Sequence, residues 1–202
     1  MTYAIEARDL YYTYEDGTVA LDHISFRAER GKMTGILGAN GAGKSTLFLN
    51  LNGVLTPAGG EVRVDGVPVT YDRKGLISVR KQVGIVFQDP DDQLFSADVY
   101  RDISFGGVNL GLPEEEVRRR VDEAMEWTGV THLKGKPTHA LSFGQKKRVA
   151  IAGVLVMEPS VVILDEPTAG LDPQGVSDIM RLLAELRGRL GMTIIIATHD
   201  MD

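Results

Sequence analysis

The stretch Gly38-Ala39-Asn40-Gly41-Ala42-Gly43-Lys44-Ser45-Thr46 satisfies the pattern G-x-x-x-x-G-K-[ST]. Glycines at this spacing let successive backbone N–H groups converge on phosphate oxygens without Cβ clashes. The helix that such a loop opens adds the partial positive charge of its N-terminus. Lys44 is then placed to reach the β- and γ-phosphates, and Ser45 to ligate Mg²⁺. A second pattern is Val161-Val162-Ile163-Leu164 followed by Asp165-Glu166. An apolar strand that delivers an acid at its end suits Asp165 to holding Mg²⁺ through water. The next carboxylate, Glu166, is placed to polarise an attacking water. Taken singly, either could be a Gly-rich turn or a solvated acidic turn. Together they define a Mg-nucleotide site. They do not choose among GTPases, kinases and ATPases, although the absence of an N-K-x-D run weakens the first.

Such residues need a scaffold that presents them on one side. Met33–Leu37, Val83–Phe87, Val161–Leu164 and Thr193–Ala197 are short apolar runs of the kind found in a parallel sheet covered on both faces. Gly38, Gln88 and Asp165 each follow directly on one of them, and open α/β sheets bind ligands beyond the carboxyl ends of their strands. Ile5–Leu10, His23–Ala28 and Glu61–Asp65 alternate instead, with turn signals at Asp16-Gly17, Gly59-Gly60 and Asp65-Gly66, and read as antiparallel strands. From about 96 to 157 no strand is convincing. A helix opens at Pro113 with acids in its first turn, places Val117, Val121, Ala124 and Met125 on one face, and ends at Gly129. Another follows Ser142 to about Met157. A third follows Asp172-Pro173, with Ile179, Leu182, Leu183, Leu186 and Leu190 on one face. The expectation is one α/β domain over 1–202, with a small antiparallel β subdomain and a helical insertion over about 96–157.

Composition limits the rest. Lys and Arg number 22 against 28 Asp and Glu, a net charge of −6, so no global attraction draws this chain to nucleic acid or anionic lipid. There is no cysteine, which removes disulfides, thiol catalysis and Cys-ligated metal. The first ten residues carry Glu6 and Asp9 and no signal-peptide core, and no apolar run approaches the ~20 residues of a membrane span.

Leu141-Ser142-Phe143-Gly144-Gln145 stands upstream of the acidic strand. Here the sequence resembles the ATP-binding cassette (ABC) ATPases, whose signature reads LSGGQ. The resemblance covers essentially the whole chain and takes in Gln88 after a strand (the Q-loop), Ala169-Gly170-Leu171-Asp172 (the D-loop) and His199 after Thr193–Ala197 (the switch histidine). It implies a P-loop NTPase core that binds ATP and Mg²⁺ and works as a head-to-tail dimer. Each ATP would sit on Gly38–Thr46 of one protomer, under Ser142, Phe143, Gly144 and Gln145 of the other. Ser142 is also a good helix N-cap, and Phe143 departs from the usual Gly; its ring is expected to point away from phosphate. The family role of Gln88 is to touch Mg²⁺ or its water, of His199 to bond the γ-phosphate, and of Asp172 to signal across the dimer as well as cap a helix. Tyr14 aligns with the aromatic that stacks on adenine, with Tyr11 and Tyr12 as competitors. Lys146-Lys147-Arg148 reads as a solvated helix face.

The segments Phe87–Phe95, Tyr71–Leu76 and Gly144–Gly153 look like the ATPases of energy-coupling factor importers, especially the CbiO-type cobalt-transport ATP-binding proteins. That resemblance implies an ATPase peripheral to the cytoplasmic face of the cell membrane, a second ATPase subunit (the same or a similar chain), an integral-membrane scaffold and a substrate-capture membrane subunit. Cobalt, nickel or a vitamin all fit as cargo. Asp89, Asp91 and Asp92 could pair with basic residues of the scaffold, or simply cap a polar turn. The rival reading is a soluble ABC ATPase of DNA repair or translation, a class that often carries coiled-coil insertions or tandem cassettes. Family members continue beyond the point where this chain stops, so the resemblance also implies a cassette cut short at Asp202.

Overall fold

Strands β3 (Met33–Leu37), β6 (Val83–Val86), β7 (Val161–Asp165) and β8 (Thr193–Thr198) form a parallel sheet in the order β3-β8-β7-β6. They do so in a computed structural model that describes residues 2–199. Successive side chains of a strand point to opposite faces, so an unbroken apolar run can feed two cores at once. Ile194, Ile196 and Leu164 enter one core, and Ile195, Ala197 and Ile163 enter the other. Both β3 and β6 lie at edges of this sheet among the described residues. Strand β6 is mostly buried, whereas β3, with Met33 against one core and Ile36 against the other, has no fully buried residue, and its Leu37 is 58% exposed. An apolar run alone does not distinguish a central strand from an edge.

The first core is closed by helices. Strand β8 and its neighbours pack beneath α3 (Val99–Asn109), α4 (Glu114–Thr128), α5 (Phe143–Leu155) and α6 (Pro173–Leu190). Val117, Val121, Ala124 and Met125 are buried on α4, as their spacing requires. Gly129, in the left-handed region at φ 71°, ends that helix. On α6, Ile179, Leu182, Leu183 and Leu186 are buried, but Leu190 at the last turn is 39% exposed, outside the stripe to which its spacing assigned it. Helix α3 is not marked by a clear apolar stripe, and its interior holds Gly106 and Gly107. A Cβ at Gly106 would lie 2.8 Å from the Met157 Cγ, so the glycine is what lets α3 approach the segment after α5.

The second core is closed by an antiparallel sheet, β2-β1-β4-β5, built from β1 (Tyr3–Thr13), β2 (Val19–Glu29), β4 (Gly59–Val64) and β5 (Val67–Pro68). Helix α1 (Lys44–Leu51) lies between the sheets, with Phe48 and Leu51 fully buried against Ile5, Leu10 and Ile163. Full burial of side chains this size stabilises by about 1.5–3 kcal/mol each, so the loop ahead of α1 is attached to a firmly held element. Helix α2 (Arg73–Gln82) is capped by Asp72, whose carboxylate accepts from the Gly75 N–H at 2.7 Å. Val79 is buried on it and Leu76, three residues earlier, is half-buried; it is not among the helices expected from the sequence.

Candidate active site

Because the sheet is parallel and in register, its strands end level with one another. Leu37 stands beside Thr198, Ala197 beside Asp165, and Leu164 beside Val86. The chain therefore leaves the sheet four times on one side, into Gly38, Gln88, Glu166 and His199.

The Gly-rich loop turns through left-handed backbone at Gly41 (φ 81°) and Gly43 (φ 87°). A Cβ at Gly43 would fall 2.5 Å from the Ala20 carbonyl oxygen, so that position admits no side chain. Helix α1 starts at once with no side chain capping it, leaving first-turn amides available to an anion. Lys44 Nζ donates to the Gly38 carbonyl at 2.5 Å and the Ala39 carbonyl at 3.1 Å. The Ser45 hydroxyl donates to Asp165 Oδ2 at 2.5 Å. Thr46 Oγ1 is 2.8 Å from the Tyr14 hydroxyl. Of the three competing tyrosines, Tyr14 lines this cleft. Tyr12 packs edge-on to it at 5.1 Å, and Tyr11 lies against His23.

The two acids differ in setting. Asp165 ends β7 and is buried. Glu166 is buried too, and its backbone is left-handed at φ 48°, a conformation that costs about 1–3 kcal/mol for a side-chain-bearing residue. Three hydrogen bonds hold it there. Its N–H donates to the Ala197 carbonyl at 3.1 Å, and its carbonyl accepts from the Ala169 N–H at 3.1 Å and from Lys147 Nζ at 3.3 Å. Its carboxylate divides. Oε2 stands 2.8 Å from His199 Nδ1, whereas Oε1 is buried with no hydrogen-bond partner, 3.8 Å from Lys44 Nζ. The cleft enclosed by Tyr14, Asn40–Thr46, Gln88, Asp165 and Glu166 has a volume of about 610 Å³.

Ser142, Phe143, Gly144 and Gln145 do not line that cleft. Ser142 Oγ accepts from the Gln145 N–H at 3.3 Å, and Gln145 Oε1 accepts from the Ser142 N–H at 3.0 Å, a reciprocal cap on α5. The Phe143 ring folds back on its own chain, against Gly170 and 5.2 Å from Lys147 Nζ. Asp172 caps α6, accepting from the Gly175 N–H at 2.7 Å. Gln88 is exposed at the cleft, with its carbonyl accepting from Lys147 Nζ at 3.0 Å.

The solvated reading of Lys146–Arg148 is wrong. Lys147 is only 2% exposed, and burial lowers its pKa against the opposing pull of Asp89 and Glu166. Lys146 pairs with Asp91 at 2.6 Å, and Arg148 donates to the Thr128 carbonyl at 3.0 Å. The signal was available: Lys147 shares a helical face with Ala150, Ile151 and Val154, all buried. The acidic turn is also partly engaged within the chain. Asp89 caps it by accepting from the Asp91 N–H at 2.9 Å, and Asp91 holds Lys146.

The ABC transporter family model matches residues 21–169. The chain belongs to this family and is an ABC ATPase. Over 200 residues, 99% of this chain and 70% of the relative, it is 63% identical to the energy-coupling factor transporter ATP-binding protein EcfA2 of Clostridium perfringens. The solved structure of cbiO1 from Clostridium perfringens, described as part of the ABC transporter complex cbiONQ, is 62% identical. It superposes with a TM-score of 0.91 over 100% of this chain and 80% of that one. Within the family the chain is thus of the energy-coupling factor, CbiO type. The dimeric post-hydrolysis structure of the ATP-binding cassette MJ0796, bound to ADP and Pi, is 28% identical, with a TM-score of 0.86 over 98% of this chain and 88% of that one.

Proposed function

We propose that this chain is the ATP-hydrolysing subunit of an energy-coupling factor importer. It works as a dimer on the cytoplasmic face of the cell membrane and drives uptake of a transition-metal ion, cobalt foremost, or a vitamin. The observation that carries the hydrolytic part is the unpartnered, buried Oε1 of Glu166 beside Lys44 in the cleft. A buried carboxylate oxygen without a donor is costly, and a water poised for in-line attack would satisfy it.

The donors present fit Mg²⁺. Ser45 Oγ and Asp165 Oδ2, both hard oxygens, already converge. Mg²⁺ bound there would neutralise charge on the β- and γ-phosphate oxygens. The other roles belong to the chain. The loop amides of Gly38–Thr46 bind phosphate, and Lys44 exchanges its two carbonyl partners for phosphate oxygens. Tyr14 offers a ring to the adenine. Glu166 takes up the proton of the attacking water, oriented by His199, and Gln88 reports occupancy at the cleft mouth. Ser142, Gly144 and Gln145, exposed or half-exposed at the N-terminus of α5, serve the partner's ATP, and Asp172 lies beside that contact.

Transport coupling is supported by a groove of about 460 Å³ beside the Q-loop, where Ile77, Phe95 and Phe105 are exposed. It suits an amphipathic helix of an integral-membrane scaffold, which in turn carries a substrate-capture subunit. Among the described residues no helix is long and apolar enough to cross a membrane. The test is to purify the chain with its membrane partners, reconstitute them in vesicles, and follow ATP-dependent uptake of Co²⁺ against vitamins. ATP hydrolysis without any membrane partner or uptake would defeat the importer reading.

A further inference from the structure

Lys147 carries a charge where a charge is expensive. Its ammonium is buried, and among the described residues no carboxylate lies within ion-pair distance. Its hydrogen-bond partners are two main-chain carbonyls, those of Gln88 at 3.0 Å and Glu166 at 3.3 Å. The Phe143 ring lies 5.2 Å from the same nitrogen and packs on Gly170, where a Cβ would come within 3.0 Å of the ring. Phe143 thus covers the ammonium and braces the D-loop at once.

As a stabilising device this is poor. An apolar side chain of similar length would fill the space without the desolvation cost. As a linkage it is specific. The side chain starts one turn into α5, the helix whose first residues face a partner protomer in the reading above. It ends on the two carbonyls that fix the backbone of the hydrolytic acid and of the Q-loop. The Glu166 carbonyl it holds belongs to a residue in strained left-handed backbone, where small shifts in support change side-chain aim.

We propose that Lys147, shielded by Phe143, is a positioning residue that ties the signature helix to the backbones of Glu166 and Gln88, so that movement of α5 re-aims the acid and the Q-loop together. This rests on the reading of Glu166 as the base. The test is Lys147→Met in the full chain, with steady-state ATP hydrolysis, KM for ATP and thermal melting measured against wild type. The expected result is a fall in kcat of at least tenfold, with KM within twofold and the melting temperature unchanged or raised. A kcat within twofold of wild type overturns the proposal. So does a parallel loss of kcat, ATP affinity and melting temperature, which would make Lys147 merely structural. If Lys147→Met does not accumulate as folded protein, Lys147→Gln is judged by the same criteria. Absence of hydrolysis by wild type would count against the ATPase reading instead. Lys147 is then decided by amide hydrogen exchange: acceleration confined to the segments after Gln88 and Glu166 supports the linkage, and unchanged exchange there overturns it.

Discussion

His199 Nδ1 lies 2.8 Å from Glu166 Oε2, and the other oxygen of the same carboxylate has no hydrogen-bond partner. One oxygen is held by the histidine, and the other is buried beside the Lys44 ammonium at 3.8 Å. Strands β7 and β8 are paired up to Asp165 and Ala197, so the residues just beyond each strand are delivered side by side. The contact is a consequence of sheet register rather than of a flexible search.

That division makes Glu166→Gln the sharpest test of the base. The amide is nearly isosteric and can keep a contact to His199, but it cannot accept a proton from water. Turnover should fall by roughly 10²–10⁴-fold, the usual range for losing a general base. ATP affinity should persist, and ATP-dependent dimers should accumulate on size exclusion. Normal turnover would mean that another group takes the proton.

Lys44→Ala separates binding from proton transfer. Lys44 Nζ is held over the loop by the Gly38 and Ala39 carbonyls, and in the proposed function it transfers to phosphate oxygens. A charge-assisted hydrogen bond contributes about 1.5–3 kcal/mol. Titration with a fluorescent ATP analogue should therefore show affinity weakened by about 10-fold or more, together with loss of hydrolysis. Retained affinity would show that the loop amides alone suffice.

Gly43 and Gly41 offer a paired test of the loop. Both are left-handed, but only at Gly43 does a Cβ meet backbone, at 2.5 Å from the Ala20 oxygen; at Gly41 it meets nothing within 4 Å. Gly43→Ala should lower stability by about 1–3 kcal/mol or more through strain and clash combined, read as a fall of several degrees in melting temperature. Gly41→Ala should cost less. Equal losses would mean that strain alone, not the approach of β2, sets the requirement.

What the sequence displayed, it displayed through local chemistry. Gly38–Thr46 and Asp165-Glu166 are contiguous patterns, and an in-register parallel sheet brings contiguous patterns to one edge. Capping by Ser142 and Asp172 is local for the same reason. What stayed hidden depends on packing between distant segments. Nothing in Tyr11, Tyr12 and Tyr14 says which reaches Thr46. The face of α5 shows that Lys147 is buried, but not that its ammonium ends on the carbonyls of Gln88 and Glu166, 59 and 19 residues away. Helix α2 does leave a local trace, in the Asp72 cap and in Leu76 and Val79 three residues apart on one face.

The acidic turn after Gln88 tests the membrane partner, and the structure changes which residue to alter. Asp89 is committed to capping and Asp91 to Lys146, on the same helix turn as the Ser142–Gln145 cap. Reversing Asp91 would therefore disturb α5 as well as any partner. Asp92 is exposed beside the hollow formed by Phe87, Gln88 and Phe143. Asp92→Lys should leave basal ATP hydrolysis within about twofold, since exposed charges contribute little within a chain. If basic residues of a scaffold approach here, reversal replaces attraction with repulsion. Co-purification with the membrane subunits should then weaken, and the loss should shrink as salt screens it. Complex formation that is unchanged at low salt would mean that the groove, not this carboxylate, carries the contact.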